Sequence, residues 1–151
     1  MRHAQAGSAV PDSERPLTET GREQALSVGR VLAALRPAAA PLACSPARRC
    51  RETAEQLGAG EPEVDPRLAL DAPVRGLLDL ARSAPADTLL VGHQPELQAL
   101  LAALLPGGVG QPFALAPASL IGLRLGGGGA LLTLYLEPTE AARLDASRPG
   151  R

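Results

Sequence analysis

Two histidines carry the chemical interest of this chain, because they are its only imidazoles. His3 sits beside Arg2 at the start of the sequence, and His93 follows Gly92 directly after the apolar run Thr88-Leu89-Leu90-Val91. An imidazole is a competent nucleophile or proton carrier near neutral pH, since its unperturbed pKa is about 6.5. A histidine just beyond a buried strand lies where open α/β sheets bind ligands, at the carboxyl ends of the strands. The segment Ser45-Pro46-Ala47-Arg48-Arg49 has the equivalent place after the apolar run ending at Cys44. Arg48, Arg49 and Arg51 crowd the first turns of the helix expected there, where the macrodipole disfavours cations by about 0.3–1 kcal/mol each. Glu52 can pair with Arg48 at i, i+4 spacing. Arg49 is then the arginine left to turn toward the strand ends, where a phosphate would engage it by bidentate, charge-assisted hydrogen bonds. A solvated basic patch is the alternative that this segment alone leaves open.

The elements that must position these groups follow from the apolar spacing. Residues 4–16 are small, polar and proline-punctuated, which predicts a loop. From Thr18 onward Ala25, Val28, Leu32 and Leu35 mark one helical face. Thr20 and Glu23 form a capping box there, with Thr18 as an alternative cap, and Pro37 ends the helix. Pro41 to Cys44 is a short strand. Ser45 as N-cap and Pro46 at the first helical position start a second helix that Gly58 stops. A short strand near Val64 and a helix from Pro73 to Arg82 precede the strand Thr88 to Val91. Gly92-His93-Gln94-Pro95 then turns into a helix bearing Leu97, Leu100, Leu101, Leu104 and Leu105. Beyond a turn at Pro106-Gly107-Gly108, Ser119 to Leu125 and Ala130 to Leu136 flank Gly126 to Gly129 as a β-hairpin. Alternating strands and helices predict an α/β layered domain, its sheet mostly parallel and closed by an antiparallel pair. One domain is expected over 1–138, with a polar tail over 139–151 that frays.

Composition narrows the functional classes. The 151 residues suit one core, and the apolar 45% is almost wholly aliphatic, with one Phe, one Tyr and no Trp. Single-stranded nucleic acid therefore lacks its stacking platform. Basic and acidic residues number 15 and 16, so no global field attracts nucleic acid or an anionic membrane. Every basic residue is arginine, which leaves no lysine as nucleophile or phosphate ligand. Cys44 and Cys50 are read as reduced thiols. With no apolar run near the roughly 20 residues of a membrane span and no signal-type leader, a cytoplasmic protein is expected, and a monomer. His3, His93 and the cysteines lack metal-ligand spacing, so no metal or other cofactor is expected.

Together, Arg2-His3-Ala4, Arg15-Pro16-Leu17-Thr18 with Gly21, Ser45-Pro46-Ala47-Arg48-Arg49 with Thr53, and Gly92-His93-Gln94-Pro95 resemble the histidine phosphatase superfamily. The resemblance is greatest to its small SixA-type phosphohistidine phosphatase branch. It implies a phosphoglycerate mutase-like fold, a three-layer α/β/α sandwich, and a metal-independent reaction. By the same resemblance His3 is the nucleophile that becomes phosphorylated, Arg2 and Arg49 hold the phosphoryl oxygens, His93 donates to the same group, and Arg15 adds a contact. The family's first strand ends at its Arg-His pair, which would place about five residues of that strand, an ordinary length, before Met1.

These roles make physical sense as nucleophilic catalysis, with fixed cationic donors meeting the charge on the transferring group. They require His3 neutral and His93 charged, and so an activity optimum bounded by both titrations. Gln94 stands where histidine acid phosphatases carry aspartate, and no residue matches the glutamate acid of the mutase branch. A leaving group that departs readily is thereby favoured, such as the imidazole of phosphohistidine on a signalling or phosphotransfer protein. Asp12 and Glu14 are the remaining candidates for a proton donor. A phosphatase of small phosphomonoesters and a non-catalytic phosphate-binding module are the alternative readings.

Overall fold

The computed structural model describes residues 1–37, 40–105, 114–127 and 129–147. Helix α1 (Glu19–Leu35) buries Ala25, Val28 and Leu32 along the predicted stripe, and its last leucine, Leu35, stays exposed. Its cap is Thr18, whose hydroxyl accepts from Gly21 N at 3.0 Å, rather than Thr20, which lies inside the first turn. Strand β1 (Leu42–Cys44) leads to α2 (Arg48–Gln56), β2 (Glu63–Val64), α3 (Val74–Ser83), β3 (Leu89–Val91) and α4 (Glu96–Leu104). The hairpin of β4 (Leu120–Gly126) and β5 (Gly129–Leu136) follows. The expected turn at Pro106-Gly107-Gly108 lies outside the described residues.

β1 is flanked by β2 and β3, both parallel to it, with Cys44 opposite Val91. Side-chain alternation assigns the two faces of these strands. Leu42, Cys44, Leu89 and Val91 join the core beneath α1 and α2, whereas Ala43 and Leu90 pack with leucines of α3 and α4. Helices thus cover both faces of a mostly parallel sheet, the expected three-layer α/β/α arrangement with a terminal antiparallel hairpin. Among the described residues no helix is long and apolar enough to cross a membrane.

Residues 1–3 join the two groups of strands. Arg2 forms a parallel bridge with Gly92, His3 N donates to Gly92 O at 2.9 Å, and Gly92 N donates to Met1 O at 3.1 Å. On the other side Arg2 N donates to Ser119 O at 3.1 Å and Ala118 N donates to His3 O at 3.0 Å. The backbone of His3 is therefore held from both sides, next to the end of β3.

Two expectations need correction. The segment beyond 138 is not a frayed tail throughout, because α5 (Pro138–Ala146) starts on a proline at its first turn and buries Ala141 and Asp145. Asp145 accepts from Arg30 of α1 at 2.8 Å, and Ala141 joins the core that α1 covers. An overall polar composition concealed two small inward positions at helical spacing. Ser45 is not an N-cap either: α2 begins at Arg48 after Ala47, without a side-chain cap, and the Ser45 hydroxyl is used elsewhere.

Candidate active site

The ends of β1 and β3, the first residues of the chain and the first turn of α2 meet at one point. Arg49, on α2, is only 3% exposed and lies between the two histidines. Its Nε donates to His3 Nε2 at 3.2 Å, and its Nη2 lies 3.2 Å from His93 Nδ1. The imidazole centroids are 5.3 Å apart at an interplanar angle of 62°. Burial of this arginine follows from the pairing predicted for its neighbour: Arg48 Nε donates to Glu52 Oε1 at 2.6 Å and turns outward.

Hydrogen-bond roles fix the ring of His3. A guanidinium only donates and a backbone carbonyl only accepts. His3 Nε2 must therefore carry a lone pair toward Arg49, and Nδ1 must carry the proton that it donates to Ala4 O at 2.8 Å. That is the tautomer a nucleophilic Nε2 requires. Thr53, one turn after Arg49, accepts from Ala4 N at 3.0 Å and donates to Arg49 O at 2.6 Å, tying the residue next to His3 to the arginine's own backbone.

Electrostatics favour neutral rings. Desolvation lowers His3 to about 4, aided by the charges of Arg49, Arg2 and Arg15 against the opposing Ala4 carbonyl. Desolvation, then the charge of Arg49, lowers His93 to about 3. The expectation that His3 is neutral agrees with this environment. The protein's own groups do not supply the expected charge on His93, because the ring is buried and the nearest cation faces its Nδ1.

Of the five residues anticipated, His3, Arg49 and His93 are in direct contact. Arg2 points instead to Gln94 Oε1 at 3.1 Å and to the Leu115 carbonyl, and its Nε is buried without a partner among the described residues. Arg15 stands one step away, linked through Asp12. It donates to Gly7 O at 2.6 Å and to Asp12 Oδ1 at 3.2 Å, while Asp12 Oδ2 lies 3.0 Å from Arg49 Nη1. The loop that carries Asp12 is closed by an Ala6–Leu17 bridge and fastened to α2 by Glu52, which accepts from Leu17 N at 2.7 Å.

Asp12 is not placed to give up a proton. The hydrogen bond from Arg15, with Arg49 beside it, holds its carboxyl below the usual range, so it is ionised near neutral pH. Glu14 is exposed and lies with Arg48, Arg51 and Glu55 around a surface depression.

Two groups escaped sequence reasoning as partners of His93. Ser45 Oγ is 2.8 Å from His93 Nε2, and Cys50 Sγ is 3.5 Å from the same nitrogen. Gln94, beyond its contact with Arg2, donates to Gln98 at 3.1 Å. Position just after β1 was the available signal for Ser45, but its usefulness as a helix cap obscured it. Among the described residues no group of three or more His, Cys, Asp and Glu side chains is arranged to hold a metal ion.

Comparison with known proteins assigns the chain to a family. The family model of the histidine phosphatase superfamily (branch 1) matches residues 1–69. The SixA structure from Nakamurella multipartitia superposes with a TM-score of 0.78 and 31% identity, over 91% of this chain and 93% of that one. A protein histidine phosphatase SixA complexed with tungstate gives a TM-score of 0.79 and 26% identity, over 92% and 95%. An uncharacterized protein of Picosynechococcus is 36% identical over 123 residues, 76% of this chain and 74% of that protein. The chain belongs to the histidine phosphatase superfamily. Within it the SixA-type branch is its place, and its reaction class is that of a phosphatase.

Proposed function

We propose that this phosphatase removes the phosphoryl group from phosphohistidine of a signalling or phosphotransfer protein, through a phosphohistidine formed on His3. The contact of one buried guanidinium with both imidazoles carries this reading. It gathers an imidazole lone pair, a second imidazole and a fixed cation in one place, the groups that attack on phosphorus and charge on its oxygens call for. The chemistry implied by a relative that binds tungstate, a phosphate-like oxyanion, agrees with it.

In the first step His3 Nε2 attacks phosphorus, and the bond from phosphorus to the substrate's ring nitrogen breaks with its electron pair going to that ring. A substrate imidazole protonated on its other nitrogen leaves as neutral imidazole, so no strong acid is needed. In the second step water adds to phosphorus, the His3–phosphorus bond breaks, and phosphate is released with one proton. Arg49 meets the developing charge as a fixed, desolvated donor. A phosphoryl dianion beside His93 Nδ1 favours protonation there, opposing the burial and the Arg49 charge that depress this ring. Thus the charge that the protein's own groups withhold from His93 arrives with the substrate.

The decisive experiment mixes the protein with a ³²P-phosphohistidine protein and quenches in alkaline detergent, which preserves phosphohistidine. Label should appear on the wild-type chain and not on His3→Ala, whose turnover should be lost. Turnover by His3→Ala at the wild-type rate overturns the reading. Vanadate should inhibit and EDTA should not. Parallel rates with p-nitrophenyl phosphate assign the substrate class, and a higher kcat/KM for the small ester would move it to phosphomonoesters.

A further inference from the structure

The Ser45 hydroxyl faces the ring nitrogen of His93 that is turned away from Arg49. It is fully buried, as are its neighbours Cys50 and His93. It accepts from Ala47 N at 3.3 Å, which uses one lone pair, and faces His93 Nε2 at 2.8 Å. The proton on that contact is assigned by the far side of the ring. Arg49 can only donate, so Nδ1 accepts and the neutral ring keeps its proton on Nε2. Nε2–H therefore donates to Ser45 Oγ. The serine's own proton is left for Cys50 Sγ, the other polar neighbour, which also lies 3.5 Å from Nε2.

We propose that Ser45 is a positioning residue: its Oγ holds the Nε2–H of His93, so that Nδ1 is the nitrogen turned to the phosphoryl group. The proposal rests on the phosphatase reading above. A ring anchored through Nε2–H can take a second proton on Nδ1 without rotating, and in that charged form both of its N–H groups have acceptors. Ser45 strengthens its bond as the ring becomes positive, because hydrogen bonds to ionised groups are the stronger ones. Without Ser45, Nε2 retains only a sulfur, a weak acceptor. The ring is then free to exchange tautomers or turn, and a Nδ1 that already carries its proton would meet Arg49 donor to donor.

Ser45→Ala and Ser45→Cys, compared with the wild type, test this. Two histidines make the ring ¹⁵N spectrum assignable with one further substitution, His3→Gln. The wild type should show His93 as a single Nε2–H tautomer at neutral pH, and Ser45→Ala a mixture. In turnover, Ser45→Ala should lose about tenfold to a hundredfold in kcat, the worth of a hydrogen bond to a charged group. KM should change little, and the alkaline limb of kcat should move to lower pH, since a His93 imidazolium less well held loses its proton earlier. Ser45→Cys, which fills the space with a weaker acceptor, should fall between the two and decides the matter if Ser45→Ala does not fold. A Ser45 variant that keeps the single Nε2–H tautomer and the wild-type kcat overturns the proposal and leaves the phosphatase reading standing. A wild type that neither binds tungstate nor turns over defeats that reading instead, while the ring spectra still decide the role of Ser45.

Discussion

Arg49 and His3 face each other nitrogen to nitrogen, Nε to Nε2 at 3.2 Å, in a site where the arginine is almost wholly buried. In the proposed mechanism the attacking lone pair is thus covered by the same group that later holds the phosphoryl oxygens. Since Nη2 simultaneously meets His93, a planar fork is required and a point charge cannot replace it. Arg49→Lys is expected to lose about 10²–10³-fold in kcat/KM, the usual effect of removing a fixed oxyanion donor. Steady-state kinetics check this, with circular dichroism to confirm the fold. A loss below about threefold would mean that the fork is not used.

Asp12 engages both arginines, Arg15 at 3.2 Å and Arg49 at 3.0 Å, with a carboxylate that is half exposed. An incoming oxyanion competes with it for those donors. Asp12→Asn keeps the shape and removes the charge, and should bind tungstate about two- to fivefold more tightly, in line with the small worth of exposed ion pairs. Titration calorimetry measures this directly. Weaker binding in the variant would show that Asp12 holds the arginines in place instead of competing for their charge.

Much of the site was legible because its residues follow strand ends, where sequence pattern and topology converge. His93 after β3 and Arg49 after β1 were placed by apolar runs and by the pairing of Arg48 with Glu52. What sequence could not show was how each polar hydrogen is allotted. Ser45 has two uses available, as helix cap or as ring acceptor, and only the packing of α2 against β3 selects the second. The direction of Arg2 depends likewise on the Leu115 carbonyl and on Gln94, which no local spacing relates to residue 2. The fold was more transparent, save for α5, where two buried positions do not make a visible stripe.

Acid should weaken this fold through its histidines. The unfolded chain takes up a proton on each imidazole near pH 6.5, whereas burial lowers His3 to about 4 and His93 to about 3. Between those limits the unfolded state binds more protons, so stability rises with pH there and falls as pH drops below about 6.5. Asp65, held below the usual carboxylate range by Arg67, loses its contribution only at lower pH. Thermal melting from pH 7 to 4 should show a falling Tm, with a shallower slope in the His3→Gln/His93→Gln variant. Equal slopes would assign the acid sensitivity to other groups.

Two helix glycines separate stability from catalysis. A Cβ at Gly21 would stand 2.0 Å from Gln5 O, and one at Gly29 would stand 2.2 Å from Leu57 O. Helix propensity favours alanine over glycine by about 1 kcal/mol, yet neither backbone neighbour can yield cheaply. Each Gly→Ala variant should therefore lose about 1–3 kcal/mol, the cost of forced overpacking. Their effects on turnover should differ. Gln5 O accepts from Thr18 N at 3.1 Å, and the adjoining Ala4 is bound to Thr53, so displacement at residue 5 reaches His3. Leu57 lies past the far end of α2, where its N–H donates to Thr53 O at 3.1 Å, two turns from Arg49. Gly21→Ala should reduce kcat/KM of the folded protein several-fold, and Gly29→Ala should leave it near the wild-type value. Urea unfolding gives the stabilities and kinetics on the folded fraction the rates. Equal activity in the two variants would show that the position of His3 is set by its own bonds to Gly92 and Ala118, independently of the loop that follows.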